Sequence, residues 1–370
     1  MPACPCTPAR QRSNLQSDIV ARTSRKTLAQ GSVAAHRHSA LASERVSEVS
    51  HRTRPVSSRS RNRLLTTDTT DHVPLFVGLG EILWDLFPDG PRFGGAPANF
   101  ACSAAALGTP RIRVAMASSV GQDPLGTQAL ATLTEKHVSV AGVRQSPQPT
   151  GQVLIDVDRS GAATYEFAAD AAWDDFQWSA ALEHLAQNTA VVCYGTLSQR
   201  SAISQQTVHQ FLSLVPTDAF KIFDINLRPP HHTDRIIRES LHSANVLKMN
   251  EDELPVLAAL CQQSGSTLEI LQGLARQYDL QCVALTRGHE GAVLLRGEEI
   301  SEHPGVTTKV IDTVGAGDAF TATLALGLLH NQPLADINRR ACEVAAYVCS
   351  QAGATPTFPP EWTADTLGPH

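Results

Sequence analysis

Two aspartates bracket a run of tiny residues late in the chain. The stretch 310–320 reads VIDTVGAGDAF, with Asp312 and Asp318 on either side of Gly315, Ala316 and Gly317. An apolar, helix-like segment follows. Glycine carries no side chain, so backbone N–H groups there can come close to a ligand. The first N–H groups of a helix lack intrahelical acceptors, and the helix dipole places positive charge at that end. The combination suits an anion such as phosphate. Asp318 would stand at the helix start beside that anion. On local pattern it reads either as an N-cap or as a general base for attack on phosphorus by a hydroxyl. The turn is no Walker loop, because GxxxxGK[ST] is absent and no lysine stands beside it in the sequence.

The elements that must position these residues follow a recognisable rhythm. VPLFVGLG opens an ordered region near His72 with a strand-like apolar run. APANFACSAAALG (96–108) has helical spacing and stops at Gly108. RIRVAMASSVG reads as a strand, and DPLGTQALATLTEKH as a helix with Asp123 near its start. TGQVLIDVDRSGAATYEFA alternates around DRSG, the signature of a hairpin. Then apolar strands at 190–195, 220–226, 245–250 and 282–288 alternate with helix-length segments. GAVLLRGEEISEHPG adds a second hairpin, and 318–330 and 337–353 read as helices. Strand–helix alternation predicts a parallel sheet covered on both faces, with its site at the carboxyl ends of the strands. Asp224, Asn226, Asn250, Thr286 and Gly288 fall at or just beyond such ends.

Charge divides the chain in two. Its 370 residues carry a net charge of -6. Residues 1–63 hold 12 Lys and Arg against 3 Asp and Glu, and the remainder holds 18 against 33. A basic, Ser- and Arg-rich extension over 1–70 therefore precedes an acidic body over 71–370. The extension has no useful periodicity and is expected to be disordered. It also matches the composition of an organellar transit peptide, or of a start assigned too far upstream. The acidic body argues against broad binding to nucleic acid. No window of 18 apolar residues suggests a membrane span. The eight cysteines form no CxxC pair, so reduced thiols in a cytoplasmic setting are expected.

GGAPANFACSAAALG (94–108) and DTVGAGDAF (312–320) resemble the two signature segments of the PfkB, or ribokinase-like, carbohydrate kinases. FDINLRP (223–229), KMNEDE (248–253) and TRGHEGA (286–292) resemble further segments of that family, in the same order. The resemblance covers roughly 72–360. It implies a ribokinase-like three-layer α/β/α fold with a mostly parallel central sheet and a small β-sheet lid, the lid segments lying near 81–100 and 150–170. It implies transfer of a phosphoryl group from ATP, with Asp318 as base and the N–H groups of Gly315, Ala316 and Gly317 as the anion hole.

The resemblance also assigns the neighbouring residues. Asn250 and Glu253 match an NxxE motif linked to Mg²⁺ through water; the alternative is a helix cap with a first-turn acid. Thr286, Gly288 and Gly291 match the nucleotide loop, although Arg287 stands where the family usually has a small or apolar residue. Gly353 also falls at the nucleotide site. Asp312, with carbonyls near Gly353, resembles a monovalent-cation site for K⁺, or else it braces the loop. On the sugar side Asp85, Gly94, Gly95 and Asn99 match sugar-binding positions, and their chemistry suits vicinal hydroxyls. Arg228 reads as a phosphate or substrate contact, or as a strand-end ion pair. Glu166, with Asp170 and Trp173, would face the sugar from the lid. GGAPAN and GEILWDLFP are closest to fructokinases, so D-fructose is the expected substrate. Lid strands in this family often pair, which points to a homodimer.

Overall fold

The computed structural model describes residues 73–87, 90–157 and 163–363. The basic extension and the DRSG turn lie outside these residues. The chain opens with β1 (Leu75–Leu79), buried at all five positions. The hairpin β2 (Leu83–Phe87) and β3 (Gly90–Gly94) leads to α1 (Ala96–Gly108), β4 (Arg113–Gly121), α2 (Pro124–Glu135) and β5 (Val138–Ser146). A second hairpin, β6 (Gly151–Val157) and β7 (Ala163–Phe167), precedes α3 (Ala180–Gln187) and β8 (Thr189–Tyr194). Alternation continues through α4 (Ala202–Leu214), β9 (Phe220–Asp224), α5 (Asp234–Ser243) and β10 (Val246–Asn250). Two helices, α6 (Leu254–Leu260) and α7 (Thr267–Tyr278), precede β11 (Cys282–Thr286). The hairpin β12 (Ala292–Arg296) and β13 (Glu299–His303) is followed by α8 (Ala316–Leu329) and α9 (Leu334–Cys349).

Nine strands form the central sheet in the order β13-β12-β11-β10-β9-β8-β1-β4-β5. All neighbours from β11 to β5 are parallel, and β12 runs antiparallel to both β11 and β13. Alternation along β1 sends Phe76 into the core under α1, α2, α8 and α9, and Val77 and Leu79 into the core under α3 to α7. Each such side chain contributes roughly 1.5–3 kcal/mol of burial. Three layers result. From β1 the chain turns to β4 on one side, while β8 lies on the other. The carboxyl ends of β1 and β8 thus flank the crevice where sites form in such sheets.

The second sheet is the lid, in the order β3-β2-β6-β7. Register fixes its faces. Asp85 pairs with Arg92 and Val153, and Val153 with Phe167, so these four share one face. Leu154 pairs with Glu166 on the opposite face, where Leu154 is 53% exposed. Arg200 ties the base of the lid to the body. Its guanidinium donates to Ala168 O at 2.6 Å and to both carboxylate oxygens of Asp174 at 2.8 and 2.7 Å, and it stacks on Trp173.

The expected strands and helices are present, with α1 matching at both ends and other ends shifted by up to four residues. Two strands lacked a sequence signal. β3 reads GPRFG, whose proline and glycines oppose a strand; an edge position, where an N–H is not needed, tolerates them. β5 is the opposite edge of the central sheet and has only a weak alternation. No helix among the described residues is long and apolar enough to cross a membrane. The described cysteines are free, and five of the six are buried.

Candidate active site

Residue 315 starts the site. Gly315 caps α8 with φ 79°, the left-handed region, and a β-carbon there would collide with Ala354 O. Only glycine fits. Ala319 N–H closes the first helical bond onto Gly315 O at 2.9 Å. Ala316 N–H turns back to Thr313 O at 3.3 Å, a long bond that leaves the start of α8 largely directed outwards. Asp318 lies in this first turn, half-buried. It is not the N-cap.

Asp318 accepts a hydrogen bond from Asn99 Nδ2 at 2.9 Å. Asn99 sits in the first turn of α1, 3% exposed, and its Oδ1 has no hydrogen-bond partner among the described residues. The helices that begin at the two glycine-rich segments therefore meet at their starts. Burial pushes the Asp318 carboxyl up to about 7, and the nearby Asp224 carboxylate adds to this. Asn99, Lys248 and Arg228 oppose the rise.

The lid supplies Asp85. A β-carbon on Gly94 would stand 2.8 Å from Asp85 Oδ2, so the absence of a side chain at 94 makes room for that carboxylate. Burial raises the Asp85 pKa to about 6, against the pull of Arg228. Gly95, the N-cap of α1, packs on the backbone of Glu81. Arg228 is exposed; its guanidinium donates to the Leu227 carbonyl at 3.0 Å, and its charge acts on both Asp85 and Asp318. Asp85, Gly94, Asn99, Arg228 and Asp318 are thus linked by contact and charge. Glu166 is not with them. It is exposed on the lid face opposite to Asp85, because a strand reverses its side chains at each step. Trp173 is buried at the base of the lid, and Asp170 is exposed.

Asn250 and Glu253 cap each other. Glu253 N–H donates to Asn250 Oδ1 at 2.9 Å, and Asn250 N–H donates to Glu253 Oε2 at 2.8 Å. Glu253 Oε1 accepts from Leu227 N–H at 2.8 Å. Both oxygens already serve the backbone, so the pair fits a cation held through water rather than one bound directly. Asp312 is similarly engaged. Its oxygens accept from Val314 N–H at 3.0 Å and Gly353 N–H at 3.1 Å. Arg92 reaches across from β3 to within 3.8 Å of it. A monovalent cation beside Asp312 would have to compete with that guanidinium.

Thr286, at the end of β11, donates to Met249 O at 3.3 Å. Gly288 and Gly291 follow in a short 3-10 turn and its cap, with Arg287 paired outward to Glu302 at 2.8 Å. That outward pairing accommodates arginine at this position.

Three residues join the site that the glycine segment did not announce. Lys248 Nζ lies 3.0 Å from Asp224 Oδ1, and both residues are buried. Thr321 Oγ1 lies 2.9 Å from Asp224 Oδ2 and 2.9 Å from Gly317 O, one turn earlier on α8. Lys248 Nζ stands 3.1 Å from the point a β-carbon on Gly317 would occupy. The turn without a lysine in sequence has one in space. A lysine and an aspartate within buried strands were the available signal, since such charges are rarely buried unpaired.

A carboxylate beside a glycine turn at the end of a parallel sheet, with a small β-sheet lid, is the arrangement of a ribokinase-like sugar kinase. The pfkB family carbohydrate kinase pattern matches residues 90–361, and the chain belongs to that family. A fructokinase of Klebsiella pneumoniae is 32% identical over 267 residues, 68% of this chain and 83% of its own length. An ATP-dependent 6-phosphofructokinase of Thermoanaerobacterium thermosaccharolyticum is 29% identical over 273 residues, 72% of this chain and 82% of its own. The structure of a Vibrio cholerae fructokinase in fructose, ADP and calcium ion bound form superposes with a TM-score of 0.65 at 25% identity, covering 78% of this chain and 96% of that one.

Proposed function

We propose that this sugar kinase transfers the γ-phosphoryl group of ATP to the terminal hydroxyl of D-fructose, giving fructose 6-phosphate. The observation that carries the reading is the Asn99–Asp318 hydrogen bond, which joins the sugar-side segment to the phosphate-side turn. The fructokinase relative and the fructose-bound neighbour support the choice of sugar. Asp318 takes the hydroxyl proton as the oxygen attacks the γ-phosphorus. The bond from that phosphorus to the bridging oxygen breaks, and its electron pair leaves with ADP. A carboxylate poised near pH 7 is suited to this task.

The N–H groups of Gly315, Ala316 and Gly317 and the dipole of α8 stabilise the charge of the group in transfer. Asp85, Gly94, Gly95 and Asn99 orient the sugar. The Asn99 Oδ1, without a partner among the described residues, offers an acceptor for a hydroxyl next to the base. Arg228 supplies positive charge to Asp85 and Asp318. Thr286, Gly288, Gly291 and Gly353 border the nucleotide. Asn250 and Glu253 are the residues that would hold Mg²⁺, and the ion would supply positive charge to offset that of the phosphates. Asp312 braces the turn.

The test is coupled ADP release with ATP, Mg²⁺ and a panel of D-fructose, fructose 6-phosphate, ribose, 2-keto-3-deoxygluconate and a nucleoside. Fructose is expected to give the highest kcat/KM. The 6-phosphofructokinase relative makes fructose 6-phosphate the sharpest rival. Turnover of another acceptor with none of fructose would overturn the choice of sugar and leave the kinase class standing.

A further inference from the structure

The Lys248 ammonium is placed for more than an ion pair. The side chain leaves the middle of β10 and is buried, with relative exposure of 7%. Among the described residues Asp224 is its one hydrogen-bonded partner. An ammonium carries three donors, so two remain for another acceptor. Leaving them unmet in a buried site costs free energy. Asp224 cannot swing away to serve them, because Thr321 on α8 holds its second oxygen. Lys248 and Asp224 already face each other in the β9–β10 register, so the sheet does not need the pair to set that register. Buried ion pairs also add little stability over apolar residues of the same size. Stability therefore does not account for a lysine here.

Position does. The ammonium abuts the glycine turn at residue 317, and any side chain there would press against it. We infer that Lys248 contacts the phosphoryl group in transfer, working with the N–H groups of the turn, and that Gly317 is small to keep this access open. The inference rests on the kinase reading of the site. Lys248 neither gives nor takes a proton in this role. It offsets the charge on the equatorial phosphoryl oxygens, while Asp318 takes the hydroxyl proton and ADP leaves with the bonding pair. Asp224 acts as a positioning residue that aims the ammonium.

The experiment compares wild type with Lys248→Met and Lys248→Gln. Glutamine can still donate to Asp224 without carrying charge, which guards against loss of folding. The sugar is whichever one wild type phosphorylates best. Both variants should lose about 10²–10³ in kcat, the scale of one lost charge-stabilising donor. KM for the sugar and affinity for ADP should stay within about threefold, because neither reports the transferring group. Wild type should bind ADP with aluminium fluoride and sugar more tightly than ADP and sugar alone, and the variants should lose that gain. Retention of the gain, or kcat within about threefold in Lys248→Gln, would overturn the inference. A wild type that releases ADP with no sugar would instead remove the kinase reading itself.

Discussion

Asn99 donates its side-chain amide to Asp318 at 2.9 Å across 219 positions of sequence. The bond favours the ionised carboxylate. Burial and the Asp224 charge favour the neutral acid. The balance of these influences leaves the Asp318 carboxyl raised to about 7.

Removing the amide should tip that balance. Asn99→Ala is expected to move the acidic limb of the kcat/KM–pH profile above the wild-type position near pH 7. It should also lower kcat by about 10–100-fold through loss of orientation. A limb that stays in place or moves down would show that Asn99 does not tune the base.

Asp318→Asn should lower kcat by about 10³-fold or more with sugar and ADP binding preserved. Its effect on stability has the opposite sign. The folded-state pKa of Asp318 is raised, to about 7. Its native state holds the proton more tightly than the unfolded chain does. The resulting stabilisation is full below the unfolded pKa and is lost as pH rises through about 7. The variant lacks this loss, so between pH 5.5 and pH 8 its Tm should fall less than that of wild type. Parallel Tm curves would count against the buried-base assignment.

The two lid acids should behave differently. Asp85→Ala is expected to raise KM for the sugar about tenfold or more, with KM for ATP nearly unchanged. Glu166→Ala should leave both within about twofold, since its side chain is on the other lid face. A matching loss in Glu166→Ala would mean that sugar engages both faces.

Glu253→Ala should weaken the fold as well as the chemistry. It strips acceptors from the Asn250 and Leu227 N–H groups. The cost should be about 1–3 kcal/mol in urea unfolding, the range for orphaned buried donors. Unchanged stability would leave the reciprocal cap without energetic weight.

Much of this arrangement was legible before any coordinates. The apolar runs of β1, β8, β10 and β11 and the spacing of α1 carried the parallel sheet. Gly315 and Asp318 announced an anion turn because a left-handed cap has few alternatives to glycine. Local pattern could not choose between cap and base for Asp318, since both place a carboxylate at a helix start. In the structure Gly315 takes the cap position, and Asp318 meets Asn99, a long-range contact that local pattern does not encode. Lys248 escaped notice for the same reason: parallel neighbours β9 and β10 bring it to the turn, and no local spacing encodes that approach. Glu166 shows the converse. The alternation around it predicts a hairpin, but the side that an alternating residue faces depends on the register of β7 with β6 and, through β6, with β2.

Helix α8 is buried without interruption from Ala319 to Leu328. It has no free face on which to slide or tilt. Asp318 therefore inherits its position from the tight fit of a rod among its neighbours. Displacements near 1 Å at a reacting centre can cost about a hundredfold in rate. Conservative changes deep in this rod, far from any ligand, should surface as slow enzymes before they surface as unstable ones. Efforts to harden the protein by repacking its interior will meet the tolerance of the chemistry first.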